Sequence, residues 1–146
     1  MTRSSDRLSE SDKVEAIRAY CTHKESLPHT LGIELETVGN KMLSASIRLT
    51  DQHLNQSHAS FHAATIVALA DTACGWGCIA HLPDGATTFT TLELNCNLLR
   101  AETTGLLTCD ATMLHGGRTT QVWSATIQNE SAKSIATFRC TELVLY

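Results

Sequence analysis

The segment HASFHAATIVALADTACGWG, residues 58–77, constrains this chain more than any other. Between Gln52 and Pro83 the only Asp, Glu, Lys or Arg is Asp71. From about Phe61 to His81 apolar residues fall on nearly every side of a helical period. The pattern predicts a helix without a wet face, and such a helix is buried. Pro83 cannot continue it, and Asp84-Gly85 is a turn pair, so it ends there. A carboxylate on a buried helix costs several kcal/mol unless it is paired or neutralised. The segment therefore demands an enclosure for the helix and a reason for Asp71.

The enclosure is read from period-two segments. In IELETV, Ile33 and Leu35 alternate with Glu34 and Glu36. GNK turns the chain, and MLSASIRL places Leu43, Ala45, Ile47 and Leu49 on one face. After the helix, Leu92, Leu94, Cys96 and Leu98 alternate with polar residues, as do Leu107, Cys109, Ala111 and Met113. HGGR turns the chain at 115–118; Trp123, Ala125 and Ile127 alternate next, and SIATFRCTELVLY closes the series. A short amphipathic helix is expected over 12–21, after a frayed polar stretch at 1–11, and KESLPHTLG reads as a connector. The order is β-β-α-β-β-β-β, an α+β architecture. Such a mostly antiparallel sheet has one dry face and buries the helix by curling around it. Its open edges invite pairing between subunits. The expected division is a tail and short helix at 1–27 and one domain at 28–146.

Composition narrows the classes. A chain of 146 residues can bury roughly 70% of its unfolded surface, so it needs no staples. A net charge of −4 argues against a nucleic-acid footprint, which would be basic and clustered. No secretory h-region opens the sequence, and no apolar run approaches the ~20 residues of a membrane span. The expectation is a cytoplasmic protein with neither nucleic-acid nor membrane partner. Its six cysteines lack a CxxC pair and fall mostly at apolar positions, so they read as reduced core residues. His53, His58 and His62 lack an acidic ligand at metal-site spacing.

This order, with HAATIVALADTACG, TTFTTLELNCNLLRA and LHGGRTTQVWSATI, resembles the hotdog-fold acyl-CoA thioesterases of the phenylacetate-degradation type and the related hydroxybenzoyl-CoA and dihydroxynaphthoyl-CoA thioesterases. The resemblance covers about residues 28–146. The family hallmark is His-Gly-Gly at the helix start, with an acid eight residues after the first Gly. Here His62-Ala63-Ala64 holds that place, and Asp71 stands eight after Ala63. Gln56 matches the family's Asn or Gln six residues before the His.

The resemblance implies a six-stranded hotdog fold and a homodimer, with a dimer of dimers beyond it. It implies hydrolysis of an aryl- or short/medium-chain acyl-CoA at the subunit interface, without metal or redox cofactor. Gln56 and the Ala63 amide would come from one subunit and Asp71 from the other. Free amides at a helix N-terminus suit an oxyanion, and one such donor is typically worth ~2.7–4 kcal/mol in the transition state. Asp71 would serve as general base or as nucleophile through a mixed anhydride. Gln56 would orient the thioester or water, and Thr72 and Thr91 are hydroxyls suited to positioning water. His62 either meets the acyl group or caps the helix. Arg100 and the turn Gly117, Arg118 and Thr119 would hold the coenzyme A moiety. Gly75 and Gly77 would admit a partner helix or an acyl chain, and Trp76 belongs to the core or the pocket wall.

Three other readings stand beside these. In the first, Asp71 caps a loop or pairs with His58 or His62. The alanines replace the family's Gly-Gly and bring a methyl to where the thioester carbonyl approaches, as in an acyl-CoA-binding protein with a weakened site. A hotdog hydratase or dehydratase is the third.

Overall fold

The structure, a computed structural model, describes residues 10–146. Two short helices precede the sheet, α1 (Glu10–Cys21) and α2 (Leu27–Leu31). Most of the expected polar stretch, 1–9, lies outside the described residues; Glu10 and Ser11 already belong to α1. The segment read as a plain connector contains α2. Ser26 caps it, accepting from the His29 amide at 3.4 Å, Pro28 fits its first turn, and Gly32 ends it at φ 72°.

Next come β1 (Ile33–Gly39), β2 (Met42–Arg48), α3 (Ala63–Ala80), β3 (Thr88–Leu98), β4 (Leu106–Gly116), β5 (Thr120–Gln128) and β6 (Ser134–Leu145). All pairings are antiparallel, in the order β1-β2-β4-β5-β6-β3. The polar loop between β2 and α3 holds one 3-10 turn, Asp51–His53. His53 is buried there. Its Nδ1 accepts from the Thr50 amide at 2.9 Å, so Nε2–H donates to Leu31 O at 2.8 Å.

The sheet wraps α3 as the apolar pattern required. Ile66, Leu69, Ala70, Ala73 and Cys74 are fully buried in one core with Leu43, Ile47, Leu107, Ile127 and Ile135. Each such Leu or Ile contributes roughly 1.5–3 kcal/mol by leaving water. The length and apolarity of α3 would also suit a membrane span, but the sheet encloses that apolar surface. Gly75 and Gly77 serve the chain's own core, contrary to the expectation of a partner helix or acyl chain. A Cβ on Gly75 would lie 2.8 Å from Phe89 Cζ, and one on Gly77 2.7 Å from the Trp123 ring. Trp76 is buried in the core.

β3 departs most from the sequence expectation. It is the terminal strand, and a bulge between Thr91 and Glu93 breaks its register with β6. Leu92, Leu94 and Leu98, with the neighbouring Leu99, are 56%, 42%, 45% and 54% exposed. Leu94 pairs with buried Cys140 and shares its face, yet α3 does not cover it within one chain.

Candidate active site

Backbone bonds fix the loop that enters α3. Phe61 N–H donates to Glu102 O and His62 N–H to His53 O, both at 2.8 Å. His62 is then the N-cap, with φ −70° and ψ 137°, and its Nδ1 accepts from the Ala64 amide at 3.0 Å. The Thr65 amide goes to His62 O at 2.9 Å. The Ala63 amide meets no acceptor among the described residues. Ala63 opens onto a groove of about 510 Å³, lined by Asn55, Ser60, His62, Leu98, Leu99 and Arg100 among others. A free N–H at the positive end of an 18-residue helix is suited to developing negative charge.

Gln56 is exposed, inside the turn closed by His58 N–H to Asn55 O at 2.9 Å. His58 takes φ 55° there. Asn55, which sequence reasoning passed over, lines the groove instead, its Oδ1 held by Ser57 Oγ at 2.8 Å.

Asp71 lies eight residues further along α3, about 12 Å from Ala63 at 1.5 Å per residue. It is half-buried, and its Oδ1 is enclosed without a hydrogen-bond partner. Neither His58 nor His62 pairs with it, and it caps no loop. Burial pushes its pKa up, opposed by hydrogen bonding to Thr91 on β3. Thr72 is half-buried beside it, with no hydrogen bond joining the two.

A second carboxyl, missed in the sequence, stands near Asp71. Glu142 on β6 is fully buried, its Oε1 accepts from Cys140 Sγ at 3.2 Å, and its Oε2 has no partner. Burial raises its pKa, hydrogen bonds from Cys140 and Thr91 oppose this, and the charge of Asp71 raises it again. Opposite Glu142 in the β5 register is buried Gln121. Gln121 Oε1 accepts from Trp123 Nε1 at 2.8 Å, and its Nε2 donates to His81 O at 2.8 Å.

The residues expected to hold coenzyme A are not together in one chain. Arg100 lines the groove at one end of β3. The turn Gly117–Thr119 lies beyond the other end, its Thr119 carbonyl accepting from Val144 N–H at 2.9 Å. Eleven residues of strand separate the two, about 35 Å at roughly 3.3 Å per residue. The Arg118 guanidinium lies 5.8 Å from the centre of the Tyr146 ring, and Tyr146 Oη donates to Arg118 O at 2.7 Å. Among the described residues no three His, Cys, Asp or Glu side chains are grouped to hold a metal ion.

A buried helix wrapped by an antiparallel sheet of this order is the hotdog architecture of thioester hydrolases. The chain belongs to the thioesterase superfamily, whose sequence model matches residues 58–136. It is 31% identical over 115 residues to 1,4-dihydroxy-2-naphthoyl-CoA hydrolase of Listeria monocytogenes, covering 79% of this chain and 92% of that one. The Escherichia coli PaaI protein of the phenylacetic acid degradation operon superposes with a TM-score of 0.81 at 26% identity, over 94% and 97% of the two chains. The Staphylococcus aureus protein SAV0944 superposes at 0.76 with 25% identity, over 82% and 98%. SAV0944 has been solved as a Gln→Ala and as a Glu→Ala variant, the two positions fifteen residues apart.

Proposed function

We propose that the protein hydrolyses acyl-CoA thioesters with aryl or short- to medium-chain acyl groups, at a site completed by a second copy of the chain. The observation that carries this is the separation of the two reactive elements. Asp71 and the Ala63 amide lie on one rigid helix, about 12 Å apart by its rise, too far to serve one carbonyl. A twofold pairing of β3 edges, antiparallel, would bring Asp71 of one subunit towards the Ala63 groove of the other. The same pairing would cover the exposed leucines and carry the Gly117–Thr119 turn towards the partner's Arg100, where both could meet phosphates. Gln56 and Asp71 are fifteen residues apart, the spacing of the two positions substituted in SAV0944.

In this reading the thioester oxygen points at the Ala63 amide, which stabilises it as the tetrahedral intermediate forms. Asp71 takes a proton from water, water oxygen bonds to the carbonyl carbon, and the C–S bond breaks. The proton on Asp71 passes to the departing thiolate. Attack by the carboxylate itself, through a mixed anhydride that water then opens, uses the same placement. Gln56 orients the thioester or the water. His62 supports the amide as a cap.

Thiol release from a panel of aromatic, short and long acyl-CoAs, with D71N beside the native protein, tests this. D71N is expected to lose roughly 10²–10⁴-fold in turnover, with an unchanged circular dichroism spectrum. Mixed dimers of D71N and Q56A chains should recover activity. Release that survives D71N removes Asp71 from the chemistry. Acyl-CoA binding without any thiol release would favour the weakened-site reading of Ala63-Ala64.

A further inference from the structure

The buried Glu142 has no part in the chemistry above, yet it adjoins the residue at its centre. Its place is set by the sheet. Inward positions of β6 run Ala136, Phe138, Cys140, Glu142 and Val144, so Glu142 faces α3 among core residues. Cross-strand register places Thr91 of β3 opposite it on one side and Gln121 of β5 on the other. The Thr91 hydroxyl holds down the pKa of both Glu142 and Asp71, while Glu142 Oε2 and Asp71 Oδ1 are enclosed without a hydrogen-bond partner.

The local donors cannot serve two anions. A hydroxyl donates one hydrogen bond, and the other donor to Glu142 is the Cys140 thiol, a weak one. Gln121 donates one N–H to His81 O and accepts from Trp123 Nε1 through its oxygen, and no hydrogen bond joins it to Glu142 among the described residues. The titratable groups facing Glu142 are Asp71, Cys74 and Cys78 on α3 and Cys140 on its own strand; β3 and β5 present Thr91 and Gln121, which do not titrate. Among the described residues no Lys, Arg or His pairs with either carboxyl. Two carboxylates sharing such a site do not both ionise in the ordinary range. Glu142 is wholly buried, while Asp71 keeps some access to solvent. The proton therefore belongs on Glu142.

We propose that Glu142 is a positioning residue for Asp71: through Thr91 the two carboxyls form one pair that carries a single negative charge, with the proton held on Glu142. The neutral acid can donate to the Thr91 oxygen, and the Thr91 hydroxyl then donates to the Asp71 carboxylate. This fixes the rotamer of Asp71 and keeps a second charge out of the site. Asp71 works as a base only while Glu142 is protonated, so the active form has both an acid and an alkaline limit. The catalytic part of this rests on the role proposed for Asp71. The protonation of the pair does not.

Two measurements separate these. With ¹³C-labelled glutamate side chains, the Glu142 carboxyl resonance, assigned by its absence in E142Q, is followed as pH is raised. It should remain that of a neutral acid after the exposed glutamates have ionised, and D71N should lower its midpoint by removing the neighbouring charge. A Glu142 that titrates with the exposed glutamates, or ignores D71N, overturns the pairing whatever the activity. In kinetics, E142Q should keep kcat/KM within a few-fold and keep the acid limb while losing the alkaline limb. E142L, which leaves Thr91 unsupported, should lower kcat about tenfold, near the worth of one neutral hydrogen bond, with KM unchanged. An E142Q profile identical to wild type overturns the positioning role.

Discussion

Gly75 and Gly77 sit two residues apart on one helix and separate two kinds of close packing. The space beside Gly77 is filled by Trp123, which is fully buried and tethered through Nε1 to Gln121. The space beside Gly75 is filled by the tip of Phe89, a half-buried ring on the edge strand. Gly77→Ala should therefore cost about 1–3 kcal/mol of overpacking, less the ~1 kcal/mol that alanine returns as a helix former. Gly75→Ala should fall within about 1 kcal/mol of wild type, because Phe89 can swing aside. Urea denaturation of the two variants checks the contrast. At this scale the sequence was partly legible. Asp71 announced itself as a lone charge in an apolar run, and His62 as a cap. Glu142 broke an equally regular pattern, since Ala136, Phe138, Cys140 and Val144 alternate around it. A strand with one wet face normally carries several charges, and that hid the one pointing inward.

The strands and α3 emerged from the sequence close to their observed bounds because period two and period 3.6 are direct images of backbone geometry. What remained hidden was their spatial order. Alternation shows that Leu92, Leu94 and Leu98 belong to a dry face, but not that β3 ends the sheet, since strand order is set by long-range pairing. The small helix α2 was missed because its five residues carry too few turns for a helical period to show. The edge makes its own prediction. Leu94→Glu with Leu98→Glu should place like charges at a β3 pairing and turn an assembled protein into monomers, read by sedimentation. Thiol release should fall with assembly, while circular dichroism retains the single-chain fold. Full activity in a proven monomer would sink the shared site.

For the whole molecule, the two raised carboxyls set how stability follows pH. A carboxyl whose folded pKa lies above its unfolded one binds its proton more tightly in the native state. Stability is then fully present below the unfolded value, about 4, and declines as pH rises through the raised folded values. Burial causes that shift in both Asp71 and Glu142. Native protein should thus lose denaturant resistance as pH climbs from the ordinary carboxylate range towards neutrality, and the double variant D71N/E142Q should lose less. A wild-type slope in the double variant would assign the pH dependence to other groups.

The six free cysteines have a practical bearing on how such a protein is studied. Burial pushes the thiols of Cys21 and Cys78 up to about 12, and Cys74 and Cys109 move the same way. A disulfide reagent that counts released coenzyme A reacts with thiolate, and these side chains offer it almost none while folded. The enzyme is nearly silent to its own colorimetric assay, with half-buried Cys96 the most accessible exception. Colour that develops before substrate is added becomes a gauge of how many chains have opened.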